Sequence, residues 1–308
     1  MSNTAESLRR KIDGAGKLKS VVRTMKALAA SSIGQYEAAV RSLADYYRTV
    51  ELGLVACLGQ AGTAAPVERA GRTNQRGIGA VVFGSDQGLV GQFNDLLSDF
   101  VANTLAVLPG TKHLWAVGER VHARLTDVGL QPMGLFTVPN SVNAITQLVG
   151  QLLTTCEAHR EKGEIEQVYL FYNRPGSGPN YEPVSQRLLP LDERWRRELR
   201  KIRWPTENLP EVMNEGGPTL RALVREYLFV SLFKACAESL ASENASRLAA
   251  MQRAEKNIDE LLEDLGRTFH CLRQKTIDEE LFDVIAGFEL LSGDPSGHKR
   301  KKNREARS

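Results

Sequence analysis

The 308-residue sequence lacks proline in two long stretches. Eleven of the twelve prolines lie between Pro66 and Pro218, and the last is Pro295, so residues 1–65 and 219–294 contain none. Because proline in a helix interior costs about 3 kcal/mol, both stretches are free to form long uninterrupted helices.

The chain also lacks the features of several protein classes. Its composition is that of a soluble protein, and its apolar runs are shorter than the ~18 residues that span a bilayer. Four cysteines without a CxxC pair predict structural thiols in a reducing compartment, and the five histidines form no metal-binding spacing. No apolar signal core or transit segment precedes the first helical residues, which favours a cytosol-facing protein.

Catalytic motifs are missing as well. The sequence contains no GxSxG motif, paired-carboxylate signature or Cys/His pairing. The turn GSDQGLVG at 84–91 is rich in glycine, but no lysine follows it as in a phosphate-binding loop. We therefore expect a structural turn. A nucleotide site there, and with it an enzyme built on this part of the chain, is the alternative.

Apolar residues recur along the N-terminal stretch at the spacing of a coiled coil. Fourteen steps cover 49 residues, a mean of 3.5, whereas a straight helix on a globular core would show 3.6. A helix of about 50 residues is about 75 Å long, so we expect most of it to project beyond a central domain. The members of this ladder are Leu8, Ile12, Ala15, Leu18, Val22, Met25, Ala29, Ile33, Tyr36, Val40, Leu43, Tyr47, Val50, Leu54 and Cys57.

The C-terminal stretch repeats this pattern. Nine steps lead from Ala241 to Leu272 with a mean spacing of 3.4, and the stripe resumes at Ile277, Leu281, Val284, Phe288 and Leu291. We interpret the two stretches as an intramolecular antiparallel helix pair, with the middle of the chain inserted between them. Two separate amphipathic helices on one large helical domain are the alternative.

The middle of the chain alternates between strand-like and helix-like periods. Such repetition predicts a largely parallel sheet covered by helices, with the last two strands forming a hairpin at one side. The predicted fold class is α/β, with a Rossmann-like central domain of mainly parallel sheet, plus a long antiparallel α-helical coiled coil formed by the N- and C-terminal helices. The predicted strands are 78–83, 113–117, 135–138, 165–172 and 181–191, and the predicted helices are 94–108, 119–128 and 142–161.

Positive charge is concentrated in three places. The net charge is +4 over residues 1–57, +3 over 192–204 and +4 over 293–308, although the whole chain carries only +3. Such clusters attract acidic protein, nucleic acid or lipid surfaces. A coiled-coil nucleic-acid-binding protein is therefore one hypothesis. The expected divisions are an N-terminal helix 1–60, a central domain 75–192, a basic connector 193–218, a C-terminal helix 219–292 and a basic, disordered tail 293–308.

Three blocks of the sequence are similar to motifs of one known family. The N-terminal LRRKIDGAGKLKSVVRTMKALAAS is similar to LRxRIxSVxxTxKITKAMKMVAA, and the central SDQGLVGQFN to SDRGLCGxxN. The C-terminal ASENASRLAAMQRAEKNIDELLEDLGRTFHCLRQKTIDEELFDVIAG is similar to ASExxxRMxAMxxATxNAxxLIxxLxLxYNxARQAxITxELxEIVxG. Through these blocks the chain resembles the gamma subunit family of F-type ATP synthases, and the resemblance covers roughly residues 6–291.

The resemblance implies a central rotor stalk. The helix pair would be an axle inside a hexamer of alternating alpha and beta subunits, with the epsilon subunit and a membrane c-ring as further partners. It would carry torque between ion flow and ATP synthesis or hydrolysis. The resemblance implies that the chain has no catalytic residue, cofactor or metal of its own and binds no small-molecule substrate or nucleic acid. It also implies a peripheral location at the cytoplasmic face of a bacterial inner membrane.

The resemblance also implies contact residues, which we transfer position by position. Arg273 and Gln274 match the family's contact pair for the beta subunits, where charge-assisted hydrogen bonds are expected. Met25 and Lys26 match the stretch near the base of the hexamer, although Met25 also suits coiled-coil packing. The opposing helix carries Glu243 and Arg247. A solvated helix face is the alternative for Glu243.

The sequence departs from the family in several places. Ser20 and Ser32 stand where lysines are usual, Val90 replaces a cysteine, and the basic tail 293–308 extends past the usual end of the family. These departures leave two alternatives, the rotor of the main synthase and a divergent paralogue, for example from a second, ATP-driven ion-pumping complex.

Overall fold

A computed structural model of the chain describes residues 4–60, 77–178, 180–191, 193–208, 210–212 and 217–292. The predicted tail 293–308 lies outside these residues. The chain divides into two compact units, Met1–Val22 with Ala254–Ser308, and Arg23–Arg253. Its elements in chain order are α1 Ala5–Gln60, β1 Gly77–Phe83, α2 Phe93–Ala106, β2 Lys112–Val117, α3 Glu119–Asp127, β3 Pro132–Phe136, α4 Val142–Glu161, β4 Ile165–Pro175, β5 Tyr181–Leu189, α5 Glu193–Arg200 and α6 Gly217–Ser292.

The first unit pairs the start of α1 with the later part of α6. Leu8 and Ala15, seven residues apart on α1, are buried, and so is Ile258 on α6. An ion pair between Lys19 and Asp259 joins the two helices. Leu18 was predicted to lie on the buried ladder, but it is 55% exposed, so this part of the prediction is wrong. A narrow seam of every seventh residue is sufficient here, because the two helices meet along one line.

The second unit pairs the rest of α1 with the earlier part of α6. The Tyr46 hydroxyl donates a hydrogen bond to Glu226 Oε2 at 2.8 Å. Seven residues further along α1, a Cβ on Gly53 would lie 3.1 Å from the Leu223 side chain. Because the partner number falls as the number on α1 rises, the helices run antiparallel, as the apolar spacing predicted.

A five-stranded sheet with the order β3-β2-β1-β4-β5 forms the centre of the second unit. β1 pairs in parallel with β2 and β4, and β2 pairs in parallel with β3. Only β5 is antiparallel, as a hairpin with β4. All seven residues of β1 are buried, as expected for a central strand with both faces covered.

The two faces of the sheet pack against different helices. Ile78, Ala80 and Val82 of β1 point into a core that includes buried residues of α2 and α3. Val81 and Phe83 point to the other face, where α1, α4 and α6 supply the core. The mainly parallel sheet and the long terminal helices confirm the predicted fold class.

Some details differ from the sequence-based expectation. β3 is Pro132–Phe136 rather than 135–138, because it is a half-exposed edge strand whose hydrophobic signal is weak. Helix α5 was not predicted within the basic connector. Cys271 is exposed, unlike the other three cysteines, so not all the thiols are buried structural ones. Among the described residues, no helix is long and apolar enough to cross a membrane.

Gly84, which follows β1, provides a test of the packing between the sheet and α3. A Cβ on Gly84 would lie 2.2 Å from Val121 Cβ and 2.8 Å from Asn94 Oδ1. We expect Gly84→Ala to lower the free energy of unfolding by about 1–3 kcal/mol, because this core has no room for a methyl group. Urea denaturation monitored by circular dichroism measures the change.

Gly150→Ala is the matched control. Gly150 lies inside α4, and a Cβ there would meet nothing within 4 Å. Since alanine is favoured over glycine in a helix, the control should gain up to about 1 kcal/mol. Equal stability of the two variants would contradict the packing described for Gly84.

Candidate functional site

Four of the residues predicted to contact partner subunits are open or partly open to solvent. Arg273 and Gln274 lie on α6 in the first unit and are exposed, and neither makes a hydrogen bond or ion pair with another described residue. Met25 and Lys26 lie on α1 in the second unit and are half-buried. The Arg273 guanidinium thus has all its N–H donors available to a partner.

Glu243 and Arg247 form a buried ion pair on α6. Arg247 Nη2 donates to Glu243 Oε1 at 2.6 Å, and the side chains are only 13% and 6% exposed for Arg247 and Glu243, respectively. Arg247 Nη1 also donates to Asn244 Oδ1 at 3.4 Å. The alternative of a solvated helix face for Glu243 is therefore wrong, because the glutamate points into the protein.

The environment of this pair perturbs two titratable groups. Burial raises the pKa of Glu243, Arg247 partly offsets that rise, and the negative charge of Asp86 adds to it. Burial, and next the charge of Glu243, also raise the pKa of Tyr36 on α1. Within the described part of the chain, Glu243 Oε2 and Arg247 Nε have no hydrogen-bond partner. The pair thus places charge where little solvent can screen it.

The glycine-rich turn at 84–91 is held by its own side chains. Asn94 Oδ1 accepts a hydrogen bond from the Ser85 backbone N–H at 3.1 Å, and Asn94 Nδ2 donates to Ser85 Oγ at 2.8 Å. Leu89 and Gly91 have φ angles of 63° and 59°, in the left-handed region. Glycine suits the second of these positions because it has no Cβ. These bonds and backbone angles are those of a structural turn.

Asp86 ties this turn to two other segments. Its carboxylate accepts hydrogen bonds from the Glu119 N–H at 3.0 Å and from the Val138 N–H at 2.9 Å. The first bond satisfies a free donor at the start of α3, and the second fixes the chain after β3. Asp86 thus gathers three segments at the carboxyl edge of the parallel strands.

A row of buried serines on α6 attaches that helix to the same edge. Ser239 Oγ donates to the carbonyl of Phe83 at the end of β1, at 3.0 Å. Ser242 Oγ donates to the carbonyl of Asn173 in β4, at 2.9 Å. One turn further on, Ser246 Oγ donates to the carbonyl of Val90 in the turn.

The serine row fixes α6 to this edge of the sheet, and Asp86 holds the turn to the segments beside it. Every one of these hydroxyls donates to a main-chain carbonyl, so the register between helix and sheet is specified by directional bonds. Such an arrangement suits the transmission of force from a helix to a domain.

Sequence reasoning missed the serine row as a group. Ser242 lies in the C-terminal block that resembles the family, but Ser239, Ser242 and Ser246 also share the three- and four-residue spacing of one helix face. The spacing therefore indicated that these serines share a face, but it did not indicate which groups they contact. At the other edge of the sheet, three described residues, His113, His159 and Glu164, come close enough together to hold a metal ion.

The buried pair predicts a pH dependence of stability. Because the pKa of Glu243 is raised in the folded chain, the folded state holds this proton more tightly than the unfolded state. The resulting stabilisation is complete below the ordinary glutamate pKa of about 4.3 and is lost as pH rises towards the raised value. Glu243→Gln should remove this fall in the free energy of unfolding.

Arg247→Met should instead extend the pH range over which the stabilisation by Glu243 is lost. It removes the charge that lowers the pKa of Glu243, so the loss of stability should extend to higher pH. Denaturant unfolding between about pH 4 and pH 8 compares the two variants with the parent chain. Identical pH profiles for all three would show that Glu243 does not titrate as described.

The chain is similar to known proteins over most of its length. It matches a family model described as ATP synthase over residues 4–291. The ATP synthase gamma chain of Pasteurella multocida is 27% identical over 292 residues, which cover 92% of this chain and 98% of that protein. The ATP synthase gamma chain of Glaesserella parasuis is 31% identical over 216 residues, with coverage of 68% and 73%.

Solved structures show the same fold. A chain in the Euglena gracilis mitochondrial ATP synthase structure of OSCP, F1 and c-ring has a TM-score of 0.64 and 19% identity, with 98% of this chain and 99% of that chain covered. A chain in the Tetrahymena thermophila mitochondrial ATP synthase structure of central stalk and c-ring has a TM-score of 0.53 and 22% identity, covering 76% and 99%. The nucleic-acid hypothesis finds no support in these relatives. The chain belongs to the ATP synthase gamma chain family.

Proposed function

We propose that this protein is the central rotor stalk of an F-type ATP synthase, transmitting torque between a membrane c-ring and a catalytic hexamer of alpha and beta subunits. The observation that carries the proposal is the family match over residues 4–291, which includes α1 and nearly all of α6. Structures of similar chains are described as a rotor and as a central stalk with a c-ring. We extend those partners, together with an epsilon subunit, to this chain.

The exposed apolar surface at the end of α6 fits a partner that surrounds this helix. In the first unit, antiparallel pairing through Lys19 and Asp259 brings Ala5, the start of α1, level with about residue 273 of α6. Beyond that point α6 continues to Ser292, and its apolar side chains are exposed. These exposed residues are Ile277, Leu281, Phe282, Val284, Ile285 and Phe288. A patch of this kind is typical of a protein interface.

Arg273 and Gln274 lie just before this apolar segment. Their exposure and unused donors fit the proposed contact with beta subunits, with the apolar residues behind them supplying the buried part of the interface. Met25 and Lys26 on α1 are proposed contacts at the base of the hexamer. For Glu243 and Arg247 we propose an indirect role, holding α6 beside the turn rather than touching a partner.

Family membership makes the chain a subunit of an enzyme complex. We further propose that the subunit is non-catalytic, because the polar groups of its most ligand-like turn bind one another and α6. Bacterial gamma chains among the relatives support a peripheral place at the cytoplasmic face of a bacterial inner membrane. The division into 1–60, 75–192, 193–218, 219–292 and 293–308 remains our proposal for the domains.

Assembly tests the proposed function. The full chain, mixed with cognate alpha and beta subunits, should elute with them as one complex in gel filtration. In membranes that lack the chain, any ATP hydrolysis should be uncoupled from ion transport. Failure to form a stable complex would contradict the proposal.

A double variant identifies the part of the chain that the hexamer holds. Phe282 and Phe288 are 70% and 72% exposed, so Phe282→Ser with Phe288→Ser should leave the thermal unfolding of the isolated chain nearly unchanged. The same variant should bind the hexamer more weakly, because burial of each aromatic side chain contributes about 1.5–3 kcal/mol.

Arg273 gives a sharper test of the polar contact. Arg273→Ala should weaken hexamer binding by about 30-fold or more, since loss of a buried charged hydrogen bond costs about 2–5 kcal/mol. Titration of labelled chain into the alpha–beta hexamer, read by fluorescence anisotropy, measures the affinity.

Arg267→Ala is the matched control for Arg273. Arg267 is also an exposed arginine on α6, but it is already paired with Asp264 at 3.0 Å and Glu263 at 3.4 Å. Its removal should change the affinity by less than about fivefold, because exposed pairs contribute less than about 1 kcal/mol. Equal losses for the two variants would remove Arg273 from the proposed contact.

A further inference from the structure

Three metal-ligand side chains meet where the parallel strands begin. His113 is the second residue of β2, His159 lies in the last turn of α4, and Glu164 immediately precedes β4. One ligand atom of each lies within 4.8 Å of the other two. None of these residues contributes to the serine row or to the proposed partner contacts, so the cluster has no role in the function described above.

The backbone of β1 allows this approach. β1 lies between β2 and β4 in the sheet, and its first residue is Gly77. A Cβ on Gly77 would lie 2.1 Å from the Glu164 carbonyl oxygen and 3.1 Å from His113 Cδ2. Any larger residue would push the two sides of the cluster apart.

Neighbouring groups already orient the ligands. His159 Nδ1 is hydrogen-bonded to the Glu164 carboxylate, so these two side chains already face each other. The rings of His113 and His159 are 6.1 Å apart between centroids. His113 Nδ1 also lies 3.1 Å from Met133 Sδ, a soft atom that transition metals tolerate nearby.

We propose that His113, His159 and Glu164 bind a divalent transition metal, with zinc the best match to their chemistry. Two imidazoles and one carboxylate are a known three-ligand set for zinc, which leaves a fourth position for water. The side chains are 19% exposed at His159 and 40% exposed at Glu164, so an ion can reach them from solvent.

Binding requires only local movement. Zinc–nitrogen distances of about 2.0–2.1 Å place tetrahedral ligand atoms about 3.4 Å apart. Because the ligand atoms now lie within 4.8 Å of one another, the furthest pair must close by about 1.4 Å at most. His159 and Glu164 would exchange their mutual hydrogen bond for bonds to the metal. The bound ion would join β2, α4 and the start of β4, three segments that meet here only through the fold.

Zinc titration of the full chain, without a polyhistidine tag, tests the site. Isothermal titration calorimetry above pH 7 should show a single zinc ion bound per chain. His113→Ala and Glu164→Gln should each weaken the affinity by at least about tenfold. His122→Ala, on α3 and outside the cluster, should leave it unchanged. No zinc binding, or equal binding by all these variants, would overturn the proposal.

Cobalt gives a local readout that does not depend on stability. Co²⁺ in a three-ligand protein site should show visible absorption bands typical of four-coordinate geometry, and these should be absent in Glu164→Gln. Trp115 lies 5.1 Å from the His159 ring between centroids, so bound Co²⁺ should quench its fluorescence. Trp115→Phe should lose most of that quenching and still bind zinc. Quenching that persists in Trp115→Phe would place the ion elsewhere.

Glu164→Gln keeps the test valid if a histidine variant fails to fold. Glutamine has the same size and shape as glutamate, and Glu164 is exposed, so the circular dichroism spectrum should match that of the parent chain. A folded Glu164→Gln chain that binds zinc as tightly as the parent would show that the carboxylate is not a ligand.

Discussion

The rest of the structure depends on a seven-residue repeat of buried side chains along α1. A helix with apolar residues at this spacing carries them in one narrow stripe, because its period is 3.5 residues per turn. A second helix that runs alongside the stripe can cover it over its whole length. α6 is the described helix long enough to do this. Proline would interrupt either partner, which is why both stretches exclude it. The buried members of this repeat are Leu8, Ala15, Val22, Ala29, Tyr36, Val50 and Cys57, and Leu43, at the one remaining position, is half-buried.

The serine row adds directional contacts that apolar packing lacks. Apolar burial stabilises the association of α6 with the sheet but tolerates sliding, since it depends on area rather than direction. Hydrogen bonds from Ser239 and Ser242 to particular carbonyls of β1 and β4 specify one position. The buried charge of Glu243 lies among these hydroxyls and makes any displacement costly, because its pairing with Arg247 depends on the same geometry.

Periodicity predicted most of this fold from the sequence, and it failed where the hydrophobic signal was weak. α4 has the predicted bounds, because its buried face repeats over 20 residues. In α5, six of the eight residues are charged, and short-range pairs such as Arg196 with Glu193 stabilise the helix. Arg273 could be predicted as a contact residue only through the family resemblance, because an exposed side chain leaves no periodic pattern in the sequence. The proximity of His113 and His159 could not be predicted, because it depends on the order of the strands in the sheet, and no spacing in the sequence indicates that order.

The pairing of the two ends of the chain has a consequence for biosynthesis. The ribosome completes α1 long before it makes the segment of α6 that covers it, with the whole sheet translated in between. At about 5–20 residues per second, the apolar seam of α1 waits on the order of ten seconds or more for its partner. During that interval the nascent chain presents a long hydrophobic stripe to the surrounding solvent, which makes the first helix a natural substrate for chaperones that bind emerging polypeptides.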